Sequence, residues 1–185
     1  VRANHTTQWN QIAQGKDLYV IALSDEALVD HLPNIMEIIP NSLVVHTAGS
    51  VPMDVFEPHA NRYGVFYPMQ TFSKTRDVEF DNIPLFVEAN NETDKRTLLD
   101  IASVLSGNVH QADSEQRKKL HLAAVFSCNF VNHMYSLSAE ILERYDLPFS
   151  VMLSLIDETT RKIHEVEPHE AQTGPAIRND QDVMN

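Results

Sequence analysis

Residues 18–50 read LYVIALSDEALVDHLPNIMEIIPNSLVVHTAGS, and this stretch decides how the chain is understood. It opens on an unbroken apolar run, LYVIAL, of the length and type of a strand covered on both faces. Ser24 and Asp25 can cap a helix reaching Ile39, in which Pro33 marks a break or a restart. A second apolar run, Leu43 to His46, ends in the small residues Thr47, Ala48, Gly49 and Ser50. Strand, helix and strand in such short compass form the unit of a parallel sheet.

The alternation continues. VFYPM at 65–69 and PLFVEA at 84–89 are further strand candidates, and NVHQA from Asn108 reads as a short edge strand. Between them Asn91 caps a helix through Leu105, with Leu98, Leu99, Ile101, Ala102 and Leu105 on one side. Ligands of such sheets sit at the carboxyl ends of the strands. Those ends carry Ser24-Asp25, the run from His46 to Ser50, and Met69-Gln70-Thr71. Small, hydroxylated residues there suit the approach of a ribose or nicotinamide to backbone, and equally suit ordinary turns.

From Asp113 the texture changes to helix alone. DSEQ resembles a capping box with Ser114 as the cap. A long helix runs to about Tyr145, LPF breaks it, and a second covers Phe149 to about Val166. The fold class is therefore α/β over residues 1–112, followed by an all-α domain over 113–185. At about 100° per residue, His121, Cys128, Asn129 and Asn132 fall within roughly 100° of arc on the long helix. Lys118 shares that sector, while Leu122, Ala123, Phe126 and Phe130 lie opposite as a core face. A histidine can move a proton near neutral pH, a lysine can stabilise negative charge on a carbonyl oxygen, and carboxamides can orient a small substrate. The alternative is a solvated helix face with a few interhelix hydrogen bonds.

Composition narrows the classes further. The 185 residues are 43% hydrophobic and 22% charged, with 26 acidic against 14 basic residues and a net charge of −12. Such a chain repels phosphate backbones and anionic membranes, so neither nucleic acid nor membrane is an expected partner. One cysteine, Cys128, allows no internal disulfide and fits a reducing, cytoplasmic compartment. In mid-helix it reads as an inert buried thiol. No apolar run approaches the ~18–20 residues of a membrane span, and no signal peptide opens the chain. Nine histidines without HxxxH, HExxH or CxxC spacing argue against a metal site. There is no GxSxG and no P-loop. Both ends read as cuts through a larger protein.

The blocks VVHTAGSVPMDV, GVFYPMQTFSK, DSEQRKKLHLAAVFSCNFVNHMYSL and AQTGPAIRND resemble a family of NADP-dependent oxidoreductases. That family joins a Rossmann-like domain to a helical C-terminal domain. More distantly, the layout is similar to pyrroline-5-carboxylate reductase, ketopantoate reductase and the 6-phosphogluconate dehydrogenase group. The resemblance implies a partial Rossmann-like domain, lacking its N-terminal part, over 1–112. It implies a 6-phosphogluconate dehydrogenase-like helical domain, lacking its C-terminal end, over 113–185. It also implies NADP or NAD as cofactor, an active site in the cleft between domains, and a homodimer formed through the helices.

By position in that family, His121, Asn129 and Lys118 are the catalytic counterparts. Leu23, Ser24, His46, Thr47, Ala48 and Gly49 border the cofactor. Gln70, Asn132 and, beside the TGPA turn, Gln172 and Thr173 meet the substrate. The chain departs from the pattern in lacking GxGxxG, and in lacking the Lys-then-paired-Asn spacing of the hydroxyacid dehydrogenases. The function implied is hydride transfer between nicotinamide and a small carbonyl, imine or hydroxy compound. A non-catalytic nucleotide sensor or scaffold is the alternative, and a purely structural dimerisation module a third reading.

Overall fold

The structure, a computed structural model, describes residues 6–39, 41–73 and 75–173. The sheet is built from β1 (Leu18–Ile21), β2 (Leu43–His46), β3 (Tyr63–Pro68), β4 (Leu85–Ala89) and β5 (Val109–Gln111), ordered in space as in sequence. β1, β2 and β3 run parallel, β4 is antiparallel to β3, and β5 is parallel to β4. α1 (Asp25–Ile38) links β1 to β2, and α2 (Glu92–Leu105) links β4 to β5. After the sheet come α3 (Ser114–Ala124), a π-helical turn (Val125–Phe130), α4 (Val131–Glu143), α5 (Leu153–Lys162) and α6 (Pro168–Ala171). The chain divides into two compact units, Val1–Cys128 and Asn129–Asn185. α3 falls in the first unit, although the texture of the sequence changes at Asp113.

Alternation along the strands sorts side chains onto the two faces of the sheet. On one face, Ile21 and Val44 pack with Leu28, Leu32, Ile35 and Met36, the buried stripe of α1. Farther along that face, Val65, Tyr67, Phe86 and Ala112 receive Leu120 of α3. On the other, Val45, Phe66, Leu85 and Val87 meet Leu98 and Ala102 of α2. Each fully buried leucine contributes about 1.5–3 kcal/mol relative to exposure.

Several expectations need correction. β1 is not covered on both faces: it is the edge of the sheet, and Val20 is 52% exposed. Pro33 does not break α1. It lies on the water-facing side together with Val29, the residue whose carbonyl loses its helical donor, so solvent can replace that bond. The cap of α3 is Asp113, not Ser114. Its carboxylate accepts the Gln116 N–H at 2.7 Å while Gln116 Oε1 accepts the Asp113 N–H at 3.0 Å. The supposed core face of the long helix is not buried: Leu122, Phe126 and Phe130 are 57%, 60% and 49% exposed. Cys128 is likewise exposed rather than buried. The steady 100° rotation fails across the π-helical turn, whose i→i+5 bonding changes the angle per residue.

α2 is tied to the start of β3 through a buried carboxylate. Asn91 caps the helix by accepting the Asp94 N–H at 2.9 Å, and Asp94, 1% exposed, accepts Arg62 Nε–H at 3.1 Å. The Arg62 guanidinium, with help from Asn91, holds the Asp94 carboxyl below its usual range. Asp94→Ala should therefore cost about 2 kcal/mol, as measured by urea unfolding at neutral pH. Because the folded-state pKa is the lower one, this contribution is present above the unfolded value and is lost as pH falls through the folded one. The variant should lack that part of the acid dependence.

Candidate active site

The site begins at the end of β2. His46 is wholly buried, and its Nδ1 accepts the Ala48 N–H at 3.1 Å, bending the chain into the turn that follows. Its ring stacks on Phe56 at 5.6 Å. Burial, and then the charge of Arg117, lower its pKa to about 4, so the imidazole is neutral. Thr47 N–H donates to the Ile21 carbonyl at 3.3 Å, joining the turn to β1. Ser50 Oγ–H donates to the Asp25 carboxylate in the first turn of α1.

Next to this turn stands α3, held by its own buried charge. Arg117 is 1% exposed. Its guanidinium donates to the Glu88 carboxylate on β4 and, at 2.5 Å, to the Val51 carbonyl. Ser114 completes the join: its hydroxyl donates to Glu88 at 2.9 Å and accepts the Met53 N–H at 2.9 Å. A helical turn beyond Arg117, His121 meets Tyr67 of β3, with Nδ1 3.3 Å from the Tyr67 hydroxyl oxygen. The rings stand nearly edge-on, at 67° and 6.3 Å between centroids. Gly49 makes this possible. A Cβ there would lie 2.5 Å from His121 Nδ1 and 2.9 Å from Tyr67 Cζ. Burial pushes the Tyr67 hydroxyl above its ordinary pKa, so it stays protonated at neutral pH.

The fold thus brings together two residues singled out from the sequence, Gly49 and His121. His46, named as bordering the cofactor, is wholly buried, and its ring supports the turn from within. Gly49 is itself buried beneath the two rings, and Ala48 is also buried. Thr47 is partly exposed, Leu23 is 37% exposed, and Ser24 spends its hydroxyl capping α1. Gln70 bonds within its own loop, accepting the Thr71 N–H at 2.8 Å, and lines an open concavity of about 410 Å³ with Phe72 and Arg76. Lys118 is exposed. Asn129, Asn132, Gln172 and Thr173 belong to the second unit and are exposed; residues 174–176 of the TGPA turn lie outside the described residues. Sequence reasoning passed over Tyr67, Glu88 and Arg117. A carboxylate inside the apolar strand PLFVEA was the available signal for the last two, since such a charge needs a buried partner.

A largely parallel sheet with helices on both faces, and a site at the carboxyl ends of β2 and β3, defines a Rossmann-like α/β protein. Solved structures agree. The structure of "putative NADP oxidoreductase BF3122" from Bacteroides fragilis is 57% identical, with a TM-score of 0.90 over 96% of this chain and 69% of that one. Protein TM1727 from Thermotoga maritima shares the fold at 21% identity, with a TM-score of 0.72 over 94% of this chain and 69% of that one. So does a semialdehyde dehydrogenase NAD-binding protein from Cupriavidus necator, solved with calcium and NAD, at 12% identity and a TM-score of 0.59 over 91% of this chain and 69% of that one. Residues 83–185 match the family described as a domain of unknown function, DUF2520. The chain belongs to that family and is a relative of the Bacteroides protein. No curated protein matches it.

The neutral, buried His46 generates a pH dependence. Its pKa falls from 6.5 to about 4 on folding, so in that window the unfolded chain binds a proton the folded chain refuses. Stability should be complete above this window and should decline by about 3 kcal/mol as pH drops across it. Urea unfolding at a series of pH values, compared with His46→Asn, measures that slope.

Proposed function

We propose that this protein is an NAD(P)-dependent oxidoreductase moving hydride between nicotinamide and a small carbonyl, imine or hydroxy compound. The observation that carries the reading is a conjunction. His121 sits against the turn at the carboxyl end of β2, where Rossmann-like sheets bind ligands, in a chain 57% identical to the Bacteroides "putative NADP oxidoreductase". Leu23, Ser24 and Thr47, exposed or partly exposed at the ends of β1 and β2, fit the nicotinamide end of a dinucleotide. The chain contains no GxGxxG, and no residue here is assigned to the pyrophosphate. The cofactor would supply or accept the hydride.

In this reading His121 gives or takes the proton at the substrate heteroatom, and Asn129 orients the substrate. Lys118 adds positive charge on the same helix as His121. Asn132, Gln70, Gln172 and Thr173 are assigned to the substrate on the resemblance alone. The same resemblance makes the helical unit the counterpart of the C-terminal domain in the 6-phosphogluconate dehydrogenase group, and the single cysteine supports a cytoplasmic setting. Titration of NADPH and NADH into the full-length protein, followed by nicotinamide fluorescence, tests the proposal. Saturable binding is expected. Once a substrate is found, His121→Ala should keep the binding and lose about 100-fold or more in kcat. Absence of affinity for both nucleotides overturns the reading, and binding without turnover across carbonyls and imines favours a sensor.

We also propose a homodimer through the helical unit. Among its described residues none is buried, and Met134, Ile141, Tyr145, Val151 and Leu155 are each more than half exposed. Apolar surface on this scale marks an interface. Sedimentation equilibrium should give twice the chain mass, and Ile141→Asp should reduce it to the monomer.

A further inference from the structure

We infer that Tyr67 is the positioning residue of His121: its hydroxyl holds Nδ1 and leaves Nε2 as the nitrogen that meets the substrate. This rests on the oxidoreductase reading for its purpose, but its geometry stands within the first unit alone. Tyr67 lies in the middle strand of the sheet, 8% exposed, with its ring against Phe86 at 6.3 Å. Its hydroxyl is therefore placed by the sheet rather than by a mobile loop. His121 comes to it from α3, which the Arg117–Glu88 pair fixes to β4. Among the described residues, the hydrogen bond of the His121 ring is to Tyr67, through Nδ1. The Gly49 backbone closes the same side, since even a methyl group there would overlap Nδ1 and Cγ at 2.5 and 2.8 Å. One ring nitrogen is thus engaged and walled in, and the other is left to act.

A hydroxyl suits this place because it both donates and accepts. With the imidazole neutral, Tyr67 O–H donates to Nδ1 and the ring proton sits on Nε2. With the imidazole doubly protonated, Nδ1–H donates to the Tyr67 oxygen. In the reducing direction the Nε2–H bond breaks as an O–H or N–H bond forms on the substrate, whose carbon takes the hydride from the reduced nicotinamide. The ring is left neutral with its remaining proton on Nδ1, still held by Tyr67. The imidazole keeps one orientation on both sides of the proton step, so no reorientation is required between turnovers.

The test is nitrogen NMR of full-length protein labelled at histidine, with the His121 signals assigned by their loss in His121→Gln. In wild-type protein with the imidazole neutral, Nδ1 should resonate as a hydrogen-bonded, unprotonated nitrogen and Nε2 as a protonated one. In Tyr67→Phe, Nδ1 should move downfield to the position of an unbonded nitrogen while the backbone amide spectrum stays that of the folded protein. Once a substrate is known, kcat should fall about tenfold with nucleotide affinity unchanged, the size of one lost orienting contact. A wild-type Nδ1 that is unbonded, or one unmoved by Tyr67→Phe, overturns the inference whatever the nucleotide titration gives. A shifted Nδ1 in a protein that binds no nucleotide overturns only the oxidoreductase reading.

Discussion

A buried guanidinium sets the register of this site. Arg117 reaches from the first turns of α3 to Glu88 on β4 and to the Val51 carbonyl beyond the β2 turn, with almost no contact with water. Removing either charge would strand the other in a low-dielectric interior, a change that costs about 3–5 kcal/mol in such pairs. Three elements distant in sequence are thereby fixed at once: the strand, the turn and the helix. His121 follows Arg117 by one helical turn, so its place over Gly49 is a consequence of where the guanidinium is anchored. The same positive charge helps keep His46 neutral and opposes the effect of burial on Tyr67.

The chemistry is assembled from groups of different kinds for different reasons. His46 is an imidazole used as a backbone cap, sealed from solvent and from titration at neutral pH. His121 is an imidazole lying partly exposed against the same turn. What separates them is burial and hydrogen bonding, not residue type, and it is why a roll of histidines says little until each has been placed. Gly49 has a packing role in this turn. Its missing side chain is the space into which two rings fit.

Much of the fold was legible because it is local. The apolar runs near Leu18, Leu43, Val65 and Leu85 are strands, and Asn91 and Ser24 cap helices as their neighbours require. The stripe containing His121 was legible in part, since one face of α3 does turn a histidine to the sheet. Tyr67 was not, because a tyrosine in an apolar strand carries no mark of which helix will cross it. Arg117 was hidden by its neighbours: in the run RKK nothing local distinguishes the one cation that the fold buries. Beyond Ala124 the wheel misled, because it assumes a regular α-helix where the chain makes a π-helical turn. The exposure of Leu122, Phe126 and Phe130 escaped for a related reason, since apolar periodicity reports a face that prefers cover and not how far the fold covers it.

The order of the strands has a consequence for how the molecule is made. Each strand pairs with the next one in the chain, and the registers Leu18 with Leu43, Val44 with Tyr63, Pro68 with Leu85 and Leu85 with Val109 join residues 17 to 25 positions apart. Among the described residues every pairing joins neighbours in the chain, so the entropy of closing each connection stays modest. The sheet can lengthen strand by strand as the polypeptide emerges from the ribosome. Arg117 arrives only after β4 and the β2 turn are in place, and its two anchors then already exist. Synthesis in that direction would let the charged clamp lock only after the sheet it grips has formed, with His121 set in place behind it.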